Sequence, residues 1–203
     1  MGVLRIYIYL KSLCNRVNIS TLTKSYIFAE ILKMKSKKAI ESLAVSTEIV
    51  LPNDTNTLGN LMGGRLLHWM DIVSAIAAHR HCRRVVVTAS VNNVSFNQPI
   101  KLADVVTLEA KVSRAFSTSM EVFIDVYVEN HSTGVKTKCN EAIYTFVAGD
   151  QMGHPIGVPE LVPESDEEKE RFNGALRRKQ LSLILAGKMK PSDAIELKAI
   201  FNI

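Results

Sequence analysis

From Gly64 to about Cys82 the chain reads as a helix that is apolar around much of its girth, and this stretch restricts the fold more than any other. Leu66, Met70, Val73 and Ala77 fall on one stripe at helical spacing, with Leu67, Ser74 and Ala78 beside it. The second half, Ala75 to Ala78, is apolar without interruption. Such a helix must be wrapped by other elements, and the rest of the chain supplies strands. Leu43, Val45, Thr47, Ile49 and Leu51 alternate with Ala44, Ser46, Glu48 and Val50 ahead of the helix, and Pro52-Asn53-Asp54 breaks that strand into a loop. Behind the helix come Val85–Phe96, with a phase slip at Asn92-Asn93 that a bulge would produce, then a strand over Val106–Val112. Met120–Glu129 alternates most regularly, and Thr137–Val147 follows it across a turn at Ser132-Thr133-Gly134. Gly149–Gly157 ends the sheet.

The tail starts a helix through a Ser165…Glu168 capping box. Acids at its start and Arg177, Arg178 and Lys179 near its end suit the helix dipole, the basic run being most simply a solvated helix end. A short last helix runs from Ser192 to Ile200. The economical arrangement is α+β: one antiparallel sheet wrapped around one long central helix, with a C-terminal helical tail. A sheet of this kind has open edges that invite a second copy, so a homodimer is expected.

A formal net charge of +5 raises the question of a nucleic-acid or membrane partner. The charge is unevenly placed. Residues 1–33 hold Arg5, Lys11, Arg16, Lys24 and Lys33 against Glu30 alone, which leaves the remaining chain close to neutral. Residues 1–33 therefore read as an extension, either a transit-like leader or a segment upstream of a true start at Met34. A domain over 34–160 and the helical tail over 161–203 complete the division. No apolar run reaches the roughly 18 residues of a membrane span, and neither a nucleic-acid nor a membrane partner is expected. Cys14, Cys82 and Cys139 are too few and scattered for a disulfide framework, which points to a reducing, cytoplasmic compartment.

Two features ask for chemistry. Gly63-Gly64 opens the apolar helix, where unpaired backbone N–H groups and the helix dipole favour negative charge, such as a carbonyl becoming an oxyanion. Asp71 lies two turns further on, with Leu67 and Ala75 at i±4, so partial desolvation would raise its pKa toward that of a general base. Each has a plainer reading: Gly63-Gly64 as a tight turn, Asp71 as a structural hydrogen-bond partner, and Asn56 upstream as an Asx-turn residue. His79-Arg80-His81-Cys82 looks like a metal cluster, but residues i and i+2 on a helix point apart, and no metal site is expected. His68 is expected in packing or solvent, and Cys82 and Cys139 as small packing residues.

The pattern Asp54-x-Asn56-x-x-Gly59-x-x-x-Gly63-Gly64…Trp69-Met70-Asp71, with Arg80-His81, resembles the acyl-CoA hydrolase family of hotdog-fold thioesterases. So do Val87-Thr88-Ala89-Ser90-Val91, Val94-x-Phe96-x-x-Pro99-Ile100, Ser117-Thr118-Ser119-Met120, Glu141-Ala142-x-x-Thr145-Phe146-Val147 and Val158-Pro159-x-Leu161. The similarity covers about residues 42–180 in order. Asn92, Ala103 and Gly149 depart from the usual pattern, which favours an acid, a glycine and a bulkier residue there. The resemblance implies a single hotdog domain and hydrolysis of fatty acyl-CoA to free acid and CoA without metal or organic cofactor. It makes Asp71 and Asn56 catalytic, supplied to one site by different subunits of a homodimer, with dimers assembling further into trimers of dimers. The Gly64 N–H would stabilise the oxyanion beside Gly63, and Asp71 would act as general base or as nucleophile. The pantetheine arm would run along Val87, Thr88 and Ala89 and past Thr118 and Ser119, with Arg80, Arg83 or Arg114 meeting the nucleotide phosphates. The competing reading is a non-catalytic acyl-CoA-binding hotdog; a hotdog dehydratase would need a catalytic His with an acidic partner in another arrangement.

Overall fold

Seven strands and two long helices follow one another in a computed structural model that describes residues 36–92, 94 and 98–199. They are β1 (Lys37–Lys38), β2 (Ala44–Ile49), α1 (Gly63–Cys82), β3 (Val85–Asn92), β4 (Val105–Ala115), β5 (Ser119–Glu129), β6 (Lys136–Gly149), β7 (Leu161–Val162) and α2 (Asp166–Leu185). The expected extension over 1–33, with Met34 and Cys14, lies outside the described residues, as do Asn93 and Phe96. Five strands form one antiparallel sheet in the order β2-β4-β5-β6-β3. The helix therefore leaves one edge strand, passes beneath the whole sheet and returns as the other edge strand. This is the α+β arrangement expected, with α1 at the centre.

The stripe read from the sequence is what the sheet covers. Leu66, Met70, Val73 and Ala77 are buried, as are Val106, Leu108, Ala110 and Val112 of β4 and Met120, Val122, Ile124 and Val126 of β5 above them. Burying each of the larger of these side chains stabilises the fold by about 1.5–3 kcal/mol. The wrapping is one-sided, however. Ile72 is 45% exposed and Ile76 42%, in line with exposed Gly64, His68 and Arg80 at i, i+4 spacing. Five strands curl over the rest of the helix, and among the described residues nothing covers this stripe.

Both edge strands turn their alternation outward. Val45, Ile49 and Leu51 are exposed, while Ala44 and Val50 are the buried members of that stretch. Val85, Val87 and Val91 are likewise exposed on β3, which pairs only with β6. The register of β3 against β6 shifts between Thr88 and Ser90, while the slip expected at Asn92-Asn93 reaches outside the described residues. Glu121, Phe123 and Asp125 on the outer face of β5 are buried as well. Helix α2 lies over them.

That helix starts at Ser165, whose side chain accepts from Glu168 N while the Glu168 carboxylate accepts from Ser165 N, the expected capping box. It continues well beyond Arg177-Arg178-Lys179, so these are not its last turn, and Arg178 is partly buried against the sheet. The Arg178 guanidinium makes two bonds to the Glu121 carboxylate, at 3.0 and 2.7 Å. One step along each element, Arg171 forks onto Asp125 at 2.9 and 3.0 Å and stacks 3.9 Å from the Phe123 ring centroid. Beyond α2 the expected last helix is reduced to a one-turn segment, Pro191–Asp193, and a short helix, Ile195–Lys198. The parallel pair β1–β7, with Lys37 opposite Leu161, has no counterpart in the sequence reading, since two residues carry no periodicity.

Ala103 has φ +70, the left-handed region, in the turn where a glycine would be usual. Its N–H bonds Val50 O and the Asp104 carboxylate accepts from Lys101 N, which hold the turn in place. A side chain there costs about 1 kcal/mol. Ala103→Gly is therefore expected to stabilise the protein by about 1 kcal/mol, read as a rise in the urea midpoint with unchanged m-value. Arg178→Ala would leave Glu121 buried without its counter-charge. Arg178 is 28% exposed along its side chain, so the loss should be about 2 kcal/mol, less than the ~3–5 kcal/mol of a fully buried pair.

Candidate active site

The loop between β2 and α1 is built around Asp54. A one-turn segment, Pro52–Asp54, delivers this residue to a buried position, 3% exposed. Its carboxylate accepts from Leu51 N at 3.1 Å and pairs with Arg65 Nε at 2.7 Å, and its carbonyl accepts from Met62 N. One buried acid thus ties the start of the loop to the first turn of the helix. Arg65 in turn lies 5.5 Å over the Trp69 ring. The Asp54–Arg65 tie was not singled out from the sequence, although an acid eleven residues before a base across a Gly-rich loop is visible there.

Within this frame Asn56 takes the Asx-turn geometry of its plainer reading. Its Oδ1 accepts from Leu58 N at 2.9 Å and Asn60 N at 3.2 Å, and its backbone N–H donates to Asn60 O. Two backbone donors on one atom fix that atom as the oxygen. The amide nitrogen therefore faces outward on an exposed side chain, and it makes no hydrogen bond among the described residues. Asn56 is a loop organiser and a free donor at once. Gly59, with φ +73, lets the loop reverse between these contacts.

At the helix start, Met62 is the N-cap, and no side chain caps the turn. Arg65 N and Leu66 N both return to Met62 O. The N–H groups of Gly63 and Gly64 remain without partners among the described residues, and a Cβ on Gly64 would meet nothing within 4 Å. Two orphan donors thus stand at the positive end of a twenty-residue helix. A pocket of about 380 Å3 opens beside them, lined by Leu61, Gly63, Leu66, Ile100 and Asn140 among others.

Asp71 lies on the flank of α1, half-buried. Its Oδ1 accepts from Thr88 Oγ1 at 2.8 Å, a contact from the exposed edge strand to the helix. The shift in register beside Thr88 is the kind of irregularity that re-aims a side chain. The sequence reading placed Thr88 along the substrate; the structure places it on Asp71. Tyr144 of β6 donates to Leu67 O at 3.2 Å, one turn before Asp71, and burial together with the Asp71 charge pushes its pKa up to about 12. No hydrogen bond among the described residues joins Asp71 to Asn56. Asp71 and Gly64 share a helix face but are two turns apart, about 10 Å along the axis.

The three arginines separate. Arg80 donates from Nη1 to Leu43 O, and its own carbonyl accepts from Lys37 Nζ, so it staples the helix end to β2. Arg114 is on the outer face of the sheet under α2. There it donates to Phe172 O at 2.9 Å and lies 4.2 Å over the Phe172 ring, and desolvation lowers its pKa. Each thus gives one guanidinium nitrogen to a backbone carbonyl. Arg83 caps α1 in the left-handed region, φ 54, and its side chain makes no ion pair among the described residues. Val87 and Ala89 are exposed on the open edge of β3. The Thr118 carbonyl accepts from Ala148 N and the Ser119 carbonyl from Phe116 N, which fixes the turn they occupy.

The apparent metal cluster disperses. His79 bonds Arg84 O at the surface, whereas His81 is fully buried with Nε2 on Pro159 O at 2.8 Å. His68 is solvent-exposed. Cys82 and Cys139 are buried free thiols, and burial raises the pKa of both, that of Cys139 to about 11. Desolvation lowers the His81 pKa below its ordinary 6.5. A group held neutral in the fold and protonated more readily when unfolded contributes stability above pH 6.5 and loses it as pH falls through that value toward the folded pKa. His81→Gln should flatten the fall in stability between pH 7 and 5, measured by urea titration at each pH.

The thioesterase superfamily model matches residues 58–135. An uncharacterized acyl-CoA thioester hydrolase of Bacillus subtilis, YkhA, is 44% identical over 138 residues, 68% of this chain and 80% of its own length. Of the longer mouse acyl-coenzyme A thioesterase 11, 35% identical over 144 residues, the chain spans 24%. An apo-hexameric acyl-CoA thioesterase superposes with TM-score 0.73 at 37% identity, over 75% of this chain and 98% of its own. A Staphylococcus aureus acyl-CoA hydrolase, in complex with butyryl coenzyme A, coenzyme A and coenzyme A disulfide, gives 0.69 at 34% identity, over 81% and 99%. Alanine variants of that enzyme at an Asp, an Asn and a Thr give 0.70 each at 32–33% identity, over 75–81% of this chain and 96–98% of theirs. The Asn there precedes the Asp by 15 positions and the Thr follows it by 17, the separations of Asn56, Asp71 and Thr88 here.

Proposed function

The chain belongs to the thioesterase superfamily, among the acyl-CoA thioester hydrolases, and from that premise we propose that it hydrolyses fatty acyl-CoA at a site shared by two subunits. Asp71 of one subunit acts with Asn56 and Gly64 of the other. The observation that carries this reading is the pair of unpartnered donors, Gly64 N–H and the Asn56 amide, presented by one loop-and-helix start. Donors to a developing oxyanion have to be free of other acceptors, and among the described residues these two are. The two-turn separation of Gly64 from Asp71 supports the split. A reacting carbonyl has to sit about 3 Å from both attacking group and oxyanion donors, which ~10 Å along one helix does not allow. The exposed stripe of α1 and the unpaired edge of β3 provide the surface for a second copy.

In this mechanism the thioester oxygen accepts from the Gly64 N–H and the Asn56 amide, and the carbonyl carbon is polarised. Asp71, oriented by Thr88, takes a proton from a water whose oxygen attacks that carbon. The C–S bond then breaks, and the CoA thiolate recovers the proton. The same geometry permits the Asp71 carboxylate to attack directly, forming a mixed anhydride that water opens. The acyl chain enters the pocket beside Gly63, and the pantetheine arm follows the open edge of β3 past Val87 and Ala89. Arg83 is the basic residue left for the nucleotide phosphates. The wider assembly proposed is a trimer of such dimers, working in the cytoplasm without metal or organic cofactor.

Purified protein should release free CoA from palmitoyl-CoA and shorter acyl-CoAs. Asp71→Asn should lower kcat by about 100- to 10,000-fold and Asn56→Ala by about 100-fold. Protein that binds acyl-CoA without liberating thiol would instead be a binding module. Co-expression of the Asn56→Ala and Asp71→Asn chains tests the shared site. Mixed dimers would each regain one intact site, restoring about a quarter of wild-type activity under random pairing. A site confined to one subunit would restore none.

A further inference from the structure

Tyr144 has no part in the chemistry above, yet it is the buried side chain most directly connected to Asp71. It projects from β6, a strand paired on both sides, and is 1% exposed. Its ring stacks on Phe146, with centroids 6.3 Å apart and planes inclined by 17°. The hydroxyl donates to Leu67 O. In an α-helix the carbonyl of residue 67 is also the acceptor for the backbone N–H of residue 71, so the hydroxyl grips the turn that carries the Asp71 carboxylate.

A second grip comes from the neighbouring strand. Thr88 bonds the carboxylate itself, and the β3–β6 register sets Thr88 opposite Phe146 and Val91 opposite Tyr144. One strand pair therefore contacts both the Asp71 carboxylate, through Thr88, and the preceding helical turn at the Leu67 carbonyl, through Tyr144. The raised pKa of Tyr144 keeps the hydroxyl protonated, and hence a donor, across the pH range in which the enzyme would be assayed.

We infer that Tyr144 is a positioning residue for thioester cleavage, which fixes the height and rotation of Asp71 through the Leu67 carbonyl. This rests on the reading of Asp71 as base or nucleophile. A phenylalanine would fill the same volume and spare the core a buried hydroxyl, so packing alone does not account for tyrosine here. A displacement of about 1 Å of a reacting group costs on the order of 100-fold in rate. Losing one of two grips while the helix stays packed should cost about tenfold.

The test compares full-length Tyr144→Phe with wild type, Thr88→Ala, the double variant and Asp71→Asn, by CoA release from palmitoyl-CoA and by thermal melting. Tyr144→Phe is expected to lower kcat about tenfold with KM within about twofold. The double variant should depart from the product of the two single losses, because both act on one group. If Tyr144→Phe keeps the wild-type kcat while Asp71→Asn loses activity, the inference fails and the catalytic reading stands. A lowered melting temperature or raised KM with unchanged kcat would make Tyr144 a packing residue only, and also overturns it. Full activity in Asp71→Asn would remove the catalytic reading and the inference together.

Discussion

Leu66, Met70, Val73 and Ala77 press one side of α1 into the concave face of the sheet, and that contact fixes the rotation of the helix about its own axis. Successive residues on a helix turn by about 100°, so once those four face inward the rest have no freedom. Asp71 falls on the flank nearest β3, within reach of Thr88 and above the Leu67 carbonyl that Tyr144 holds. His68, Ile72 and Ile76 face away from the sheet. The same burial sets the helix start against the loop, where Asp54 and Arg65 lock the two together. The placement of the site is a consequence of core packing, carried outward along one rigid element.

The outer face of the sheet follows a different logic. It is covered by a helix that brings arginines rather than aliphatic side chains, and the arginines meet acids on β5. Arg171 and Arg178 are seven residues apart on α2, and Asp125 and Glu121 four apart on β5. Both pairs are bidentate, and Ser113 Oγ donates to the Glu121 carboxylate at 2.6 Å, so the desolvated oxygens are satisfied. Such pairs contribute little net stability beside an apolar contact of equal area, but they allow α2 only one register on the sheet. The edges carry neither kind of cover. Val45 and Ile49 on one side and Val85 and Val87 on the other remain open on a single chain, as do Ile72 and Ile76. An enzyme whose site is completed by a second copy would be expected to leave such surface uncovered.

Much of this could be read before any coordinates. The helical stripe, the alternation of β4, the capping box at Ser165 and the turn at Gly134 all follow from local rules, and the structure has them. Ala103 was visible as an oddity, and its positive φ explains it. The errors have a common cause. Alternation shows that a strand has two faces but not which face meets the core, so β2 and β3 were legible as strands and illegible as edges. That α2 covers the outer face of β5 could not be read from sequence, because the two lie forty residues apart. Arg114 and Arg178 looked like free surface charge for the same reason. The irregularity beside Thr88 was missed because the apolar pattern of β3 keeps its phase there, while hydrogen bonding to β6 shifts.

The sequence by itself determined which elements form, since periodicity, capping and turn residues act over a few positions, and it singled out Asn56, Gly64 and Asp71 as candidates because they stand in one motif. Only the tertiary structure decided what those residues touch. Thr88 bonds the Asp71 carboxylate, Asn56 closes its own turn, and Tyr144 bonds the Leu67 carbonyl. The Thr88 and Tyr144 contacts join positions 17 and 77 residues apart, and their existence depends on how far a curled sheet rotates a buried helix. No local pattern encodes that angle; it is set by the packing of the whole core.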